Sequence, residues 1–216
     1  MFLGHFAAAY AAKRADSRLS LGWTFAACQW PDLLWPLLSL AGIEHFRIAP
    51  GDTAFTPIAF DYYPWSHSLL MDVAWGAVFA LIYLARRGDR RGAALLGALV
   101  VSHWVLDWIT HRQDMPVSFG ERLVGLGLWN SVVGTVLVEI AMFIGATVLY
   151  DRATAPKDRV GRIGNWVFGG LLLGTYFGNV FGPPPGSTTV VSVAALGLWL
   201  FVLIAAWIDR HRTPRI

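Results

Sequence analysis

Six apolar runs, each long enough to cross a bilayer, constrain this 216-residue chain more than any other feature. They fall at 19–42, 66–85, 92–111, 128–150, 162–181 and 188–208. A helix needs about 20 apolar residues to span the hydrocarbon core. Composition points the same way. Hydrophobic residues make up 56% of the chain and charged residues only 14%, whereas soluble domains carry about 25% charged residues. Eleven Trp fit the aromatic belts of a membrane protein. The expected fold class is all-α: a polytopic membrane helix bundle of about six transmembrane helices, preceded by a short N-terminal half-helix. We expect one integral-membrane domain over 1–216, with the motifs in 1–150 and accessory helices in 151–216.

The runs are not uniform. Pro31 and Pro36, in "WPDLLWP", predict a kink or break in the first. Gly170, Gly174 and Gly178 form a small-xxx-small row in the fifth, which predicts close helix packing. Residues 2–12 are too few to span. A helix running back from Lys13 at 1.5 Å per residue would carry His5 roughly 12 Å into the membrane, or else it lies on the surface. The start "MFLGHFAAAYAAKR" lacks a positive n-region and a cleavage site, so it does not read as a signal peptide.

Charge sets the expected orientation. Lys13, Arg14, Arg18, Arg86, Arg87, Arg90, Arg91, Arg152, Lys157, Arg159, Arg162, Arg210, Arg212 and Arg215 fall on one side of six alternating spans. Only Arg47, Arg112 and Arg122 fall on the other. The positive-inside rule then predicts a bacterial-type inner membrane protein with a cytoplasmic C-terminus. The loops 43–65, 112–127 and 182–187 would face outward. No basic face of a soluble domain is visible, so nucleic acid is not an expected partner. The single Cys28 excludes an internal disulfide framework.

Ionisable residues inside spans are expensive and tend to face a bundle interior or a water-filled cavity. Here they are Asp32, His67, Asp72, His103, Asp107, His111 and Glu139, joined by His5 if its helix is embedded. In "SHWVLDWITHRQD", His103, Asp107 and His111 lie at i, i+4 and i+8, on one helical face, and Asp114 extends the stripe outward. Imidazole and carboxylate together suit zinc and similar divalent ions. The same pair would also fasten helices by an intramembrane hydrogen bond. At 1.5 Å per residue, Asp32 and His103 both fall about 20 Å from the basic clusters. Ser66 and Ser68 flank His67 as caps or supporting donors. Glu139 reads as a further ligand, a general base or a carboxyl kept neutral. Asp72 reads as structural, and His45 and His211 as solvated loop residues.

Several short motifs carry a resemblance. "GHFAAAYAAKR", Pro31-Asp32, "SHS" at 66–68 and H-x-x-x-D at 103–107 resemble the membrane-bound, metal-dependent hydrolase family of LexA-regulated inner-membrane proteins. "PWSHSLLM", "SHWVLDWITHRQDMP" and "GLGLWNS…VE" resemble a short subgroup of it. That family is distantly similar to zinc-dependent phospholipases C and single-strand nucleases, in which ordered His and Asp residues hold zinc. The resemblance implies metal ligands His5, Asp32, His67, His103 and Asp107, with His111 or Asp114 standing for a further downstream histidine. A second H-x-x-x-E/D motif has no counterpart, since "WNSVVGTVLVE" offers Asn130 and no histidine. The implied cofactor is therefore a divalent metal, zinc by type, as one or two ions rather than three.

Three functions are consistent with these residues. The first is a membrane-embedded hydrolase acting on a lipid or lipid-linked ester or phosphoester in the outer half of the bilayer, with Glu139 and His111 as catalytic candidates. The second is a transporter or ion or proton conduit; the absence of an inverted repeat counts against it. The third is a non-catalytic scaffold, which predicts that no cavity reaches these side chains.

Overall fold

The computed structural model describes residues 1–120 and 122–215. The described residues form an all-α helical bundle with short hairpins between helices. The helices are α1 (Leu3–Ala15), α2 (Leu21–Cys28), α3 (Trp30–Leu40), α4 (Pro64–His67), α5 (Leu69–Arg87), α6 (Arg90–Thr110), α7 (Val132–Ala153), α8 (Arg159–Phe181), α9 (Thr188–Ala195) and α10 (Leu198–Arg210). Polar caps set most starts. Ser20, Ser68, Ser131 and Ser187 each accept a backbone N–H of the helix they precede, and Asp89 and Asp158 do the same for α6 and α8. Gly88 ends α5 at φ +65°, where a left-handed residue closes a helix most easily.

Among the described residues, four segments are long and apolar enough to cross a membrane: Leu69–Arg87, Arg90–Thr110, Val132–Ala153 and Thr188–Arg210. That corrects the expected six. The run 19–42 is two helices, α2 and α3, each too short to span. The break falls at Gln29 rather than at a proline. Pro31 sits in the first turn of α3, where its missing N–H leaves nothing unpaired, and Pro36 lies inside α3. The run 162–181 belongs to α8, 23 residues long but diluted by glycines and two asparagines. Large apolar side chains such as Leu81, Leu137 and Leu203 point outward and are exposed, as suits helices that meet lipid on their outer face.

The N-terminal helix is not on the surface. Leu3, His5, Phe6 and Tyr10 of α1 are fully buried, and α1 packs against α2, α6 and α7. It is the axis around which the longer helices stand. Tyr10 meets Phe25, Phe143 and Tyr150 in a cluster of aromatic edges. α5 and α6 form a tight hairpin crossing at Gly76 and Gly97, where a Cβ on Gly76 would lie 2.8 Å from the Gly97 carbonyl. The glycine row 170, 174 and 178 does not play this part. A Cβ on any of the three would meet nothing within 4 Å.

Among the described residues, three two-stranded antiparallel sheets tie segments together: β1 (His45–Ile48) with β2 (Ile58–Tyr62), β3 (Met115–Pro116) with β4 (Leu123–Val124), and β5 (Thr154–Pro156) with β6 (Arg212–Pro214), the last pair closing across α8 to α10. Phe46 of β1 and Phe60 of β2 pack on Trp35 of α3 and roof the bundle beside α4. The second polar segment also differs from a plain span. α4 is a single turn ending at His67, and Ser68 then caps α5 in a new direction.

Candidate metal centre

Four elements deliver His and Asp side chains to one buried point. α1 supplies His5, the first turn of α3 supplies Asp32, α4 supplies His67 as its last residue, and α6 supplies His103 and Asp107 one turn apart. His5, His67, His103 and Asp107 are buried, and Asp32 is partly open. His5 Nε2 lies 3.0 Å from Asp107 Oδ1. His103 Nε2 lies 3.2 Å from Asp107 Oδ2 and 3.9 Å from Asp32 Oδ1. His67 Nε2 lies 3.4 Å from Asp32 Oδ1 and 3.9 Å from Asp107 Oδ2. The amino group of Met1 also contacts Asp107 Oδ1.

Two overlapping triads result, His5–His103–Asp107 and Asp32–His67–His103, each with ligand atoms within 4.8 Å of one another. This buried group could hold a metal ion. The protonation geometry supports the fit. His103 Nδ1 lies 2.7 Å from the carbonyl oxygen of Cys28. A carbonyl only accepts, so a ring proton sits on Nδ1. Nε2 is buried with no hydrogen-bond partner among the described residues, yet it faces carboxylate oxygens of Asp107 and Asp32. Two acceptors held this close need a cation or a second ring proton between them. The ligand types, three imidazoles and two carboxylates, suit a divalent metal ion.

His111 caps α6 rather than continuing its helix. Its Nδ1 lies 3.0 Å from Asp114 Oδ1, and its Nε2 lies 4.0 Å from Asp107 Oδ2. Tyr63 donates its hydroxyl to the Asp114 carbonyl at 3.0 Å and stacks on the His111 ring. Burial raises the Tyr63 phenol above its ordinary pKa, and the charge of Asp114 adds to the shift, so the group stays protonated and able to donate. Glu139 is buried behind α1. Its Oε2 accepts the Gly4 N–H at 3.2 Å, and its Oε1 has no partner. It supports the turn that carries His5 and stands outside both triads. Asp72 is fully buried with neither oxygen hydrogen-bonded to the described residues. His45 begins β1, and His211 pairs with Asp158 at 2.6 Å, both away from the cluster.

Two further buried side chains adjoin the cluster that the sequence reading did not single out. Glu44, in the turn before β1, is buried and receives Ser66. Burial raises its carboxyl above the usual value, while the hydrogen bonds from Ser66 oppose that rise. Trp129 packs its ring 4.0 Å from the ring of His111.

A cavity of about 640 Å³ reaches the cluster. Asp32, His67, Asp107 and His111 stand at its polar end. Phe55, Phe60, Trp129 and Tyr176 form one wall, and Val190, Ala194, Leu198 and Phe201 of α9 and α10 form the other. α9 packs against α3, and α10 against α2 and α8, and both α9 and α10 contribute to the cavity lining. Gly178 of the open glycine row lines it. Comparison with protein-family models, curated proteins and solved structures finds no match.

Proposed function

We propose that the chain is a membrane-embedded, metal-dependent hydrolase acting on a lipid or lipid-linked ester or phosphoester. One observation carries the reading: Asp32, His67 and Asp107 of the His/Asp triads open into a cavity whose remaining lining is mostly apolar. Such a cavity lies within the roughly 300–1,000 Å³ range of small-molecule sites. A helix-fastening cluster needs no cavity, so a pure scaffold is the weaker reading. The motif resemblance, covering residues 1–150, independently favours hydrolysis.

Asp32, His67 and His103 would hold one ion of zinc type, with His5 and Asp107 completing an overlapping position beside it. Bound there, such an ion supplies Lewis acidity toward an ester or phosphoryl oxygen and lowers the pKa of water. The chain's own residues do the rest. Asp107 faces three imidazoles and fixes their separation. His111, held by Asp114 at the rim, is placed to carry a proton to or from the polar end. The aromatic and aliphatic walls exclude water and accept an apolar tail. No Lys or Arg lines the cavity, so negative charge on a phosphoester would be met by the ion rather than by side chains. The four apolar segments favour a bilayer setting. Lys13, Arg91, Lys157 and Arg212 meet at one end of the bundle through Asp209, Ala15, Arg210 and Asp151, and this shared basic end favours an inner membrane with the C-terminus in the cytoplasm.

Elemental analysis of the purified protein tests this. Wild type should retain about one or two divalent ions per chain, and His103→Ala and Asp107→Ala should each lose most of them. A wild type without stoichiometric metal, or two variants that keep it all, ends the proposal.

A further inference from the structure

A hydrogen-bonded chain runs into the cluster from outside it. Glu44 lies in the turn between α3 and β1 and is 1% exposed. Its Oε1 accepts the backbone N–H of Ser66 at 2.8 Å, and its Oε2 lies 2.6 Å from Ser66 Oγ. Ser66 Oγ in turn lies 2.6 Å from His67 Nδ1. All three side chains are buried, and His67 Nε2 points at Asp32 and Asp107.

Donor arithmetic gives this chain a direction. A hydroxyl has one proton, and an ionised carboxylate only accepts. Glu44 already uses Oε1 on a backbone N–H, which can only donate. Its second oxygen therefore takes the Ser66 hydroxyl proton. Ser66 Oγ is then left as an acceptor toward His67, and the imidazole proton must sit on Nδ1. His67 Nε2 is left facing Asp32 and Asp107, free to offer its lone pair to a cation between them. His103 keeps its Nδ1 proton by a separate route, through the Cys28 carbonyl. Two imidazoles from different helices thus hold their Nδ1 protons outward and turn Nε2 toward Asp32.

We infer that Glu44 is a positioning residue, acting through Ser66 to fix His67 in the tautomer whose Nε2 can bind a metal. This rests on the metal-site reading for its consequence, but the proton on Nδ1 follows from the hydrogen-bonded chain alone. Ligand histidines are commonly held this way, and loss of the outer partner costs roughly 10- to 100-fold in metal affinity. Glu44 also ties α4 to the α3–β1 turn, so a packing role alone would tolerate an isosteric amide.

Glu44→Gln separates the two roles. The amide has nearly the same shape but carries two donors, and one oxygen cannot serve both the Ser66 N–H and the Ser66 hydroxyl. With the amide nitrogen facing Ser66 Oγ, the serine proton turns toward His67 Nδ1 and drives the ring proton to Nε2. The experiment is 15N NMR of His-labelled, metal-free full-length protein in detergent, beside zinc titration of the same samples. Wild type should show His67 carrying a proton on Nδ1. Glu44→Gln should show loss of that Nδ1 proton and a zinc affinity weaker by roughly 10- to 100-fold. Ser66→Ala should weaken zinc likewise. A wild-type His67 without a proton on Nδ1, or a folded Glu44→Gln that keeps it, overturns the inference. Failure of wild type to bind zinc while the tautomer switches would instead remove the proposed function and leave the relay standing.

Discussion

At the scale of single residues, the centre is organised by acceptors that each dictate where an imidazole proton sits. The Cys28 carbonyl does this for His103, Ser66 for His67 and the Asp114 carboxylate for His111. His111 differs from the other two. It lies at the rim, 4.0 Å from Asp107, and belongs to neither triad. We therefore expect His111→Gln to keep the wild-type metal content while His103→Ala loses it, as read by elemental analysis. Loss of metal from His111→Gln would make His111 a ligand instead. His103 and Asp107 were legible in the sequence because ionisable groups in an apolar run are expensive and four-residue spacing puts them on one face. Glu44 was not legible. It sits between apolar runs, where a carboxylate is ordinarily solvated, and it becomes buried only because the α3–β1 turn closes over α4.

At the scale of elements, length and hydropathy located α5, α6 and α7 well, since long runs leave few alternatives. They could not separate one span from two short helices. α2 and α3 together match a span in length, and the residue that parts them is Gln29, not a breaker. Glycine spacing also misled. The regular row on α8 faces open space, whereas the close approach uses Gly76 and Gly97, 21 positions apart on the two arms of a hairpin. Proximity of that kind depends on where the turn at Gly88 folds the chain back. The crossing gives a direct prediction. In Gly76→Val the new Cβ would lie 2.8 Å from the Gly97 carbonyl, against backbone that cannot swing aside. Overpacking of this type costs about 1–3 kcal/mol. The variant should lower the thermal unfolding midpoint in detergent, while Gly174→Val, in open space, should leave it nearly unchanged.

At the scale of the whole molecule, the helices that carry no motif are joined to those that do by one acidic residue far from the candidate metal centre. Asp209, near the end of α10, accepts the Tyr150 hydroxyl of α7 at 3.0 Å and the Leu21 N–H that opens α2 at 2.9 Å. It also pairs with Lys13 of α1 at 3.1 Å. Four helices thus close around one carboxylate at the end opposite the cavity. Lys13 is 3% exposed and has no other acidic partner within the described residues. Removing only Asp209 strands that ammonium, and breaking a buried pair from one side costs about 3–5 kcal/mol. Removing both charges is a smaller perturbation, because apolar replacements of buried pairs are often neutral. Asp209→Leu should therefore unfold at a markedly lower temperature than wild type, and Lys13→Met with Asp209→Leu should recover part of the loss. The recovery stays partial because Tyr150 and the Leu21 N–H keep no acceptor. If the double variant is no better than Asp209→Leu alone, the four-helix closure depends on Asp209 as an acceptor, and its charge contributes little.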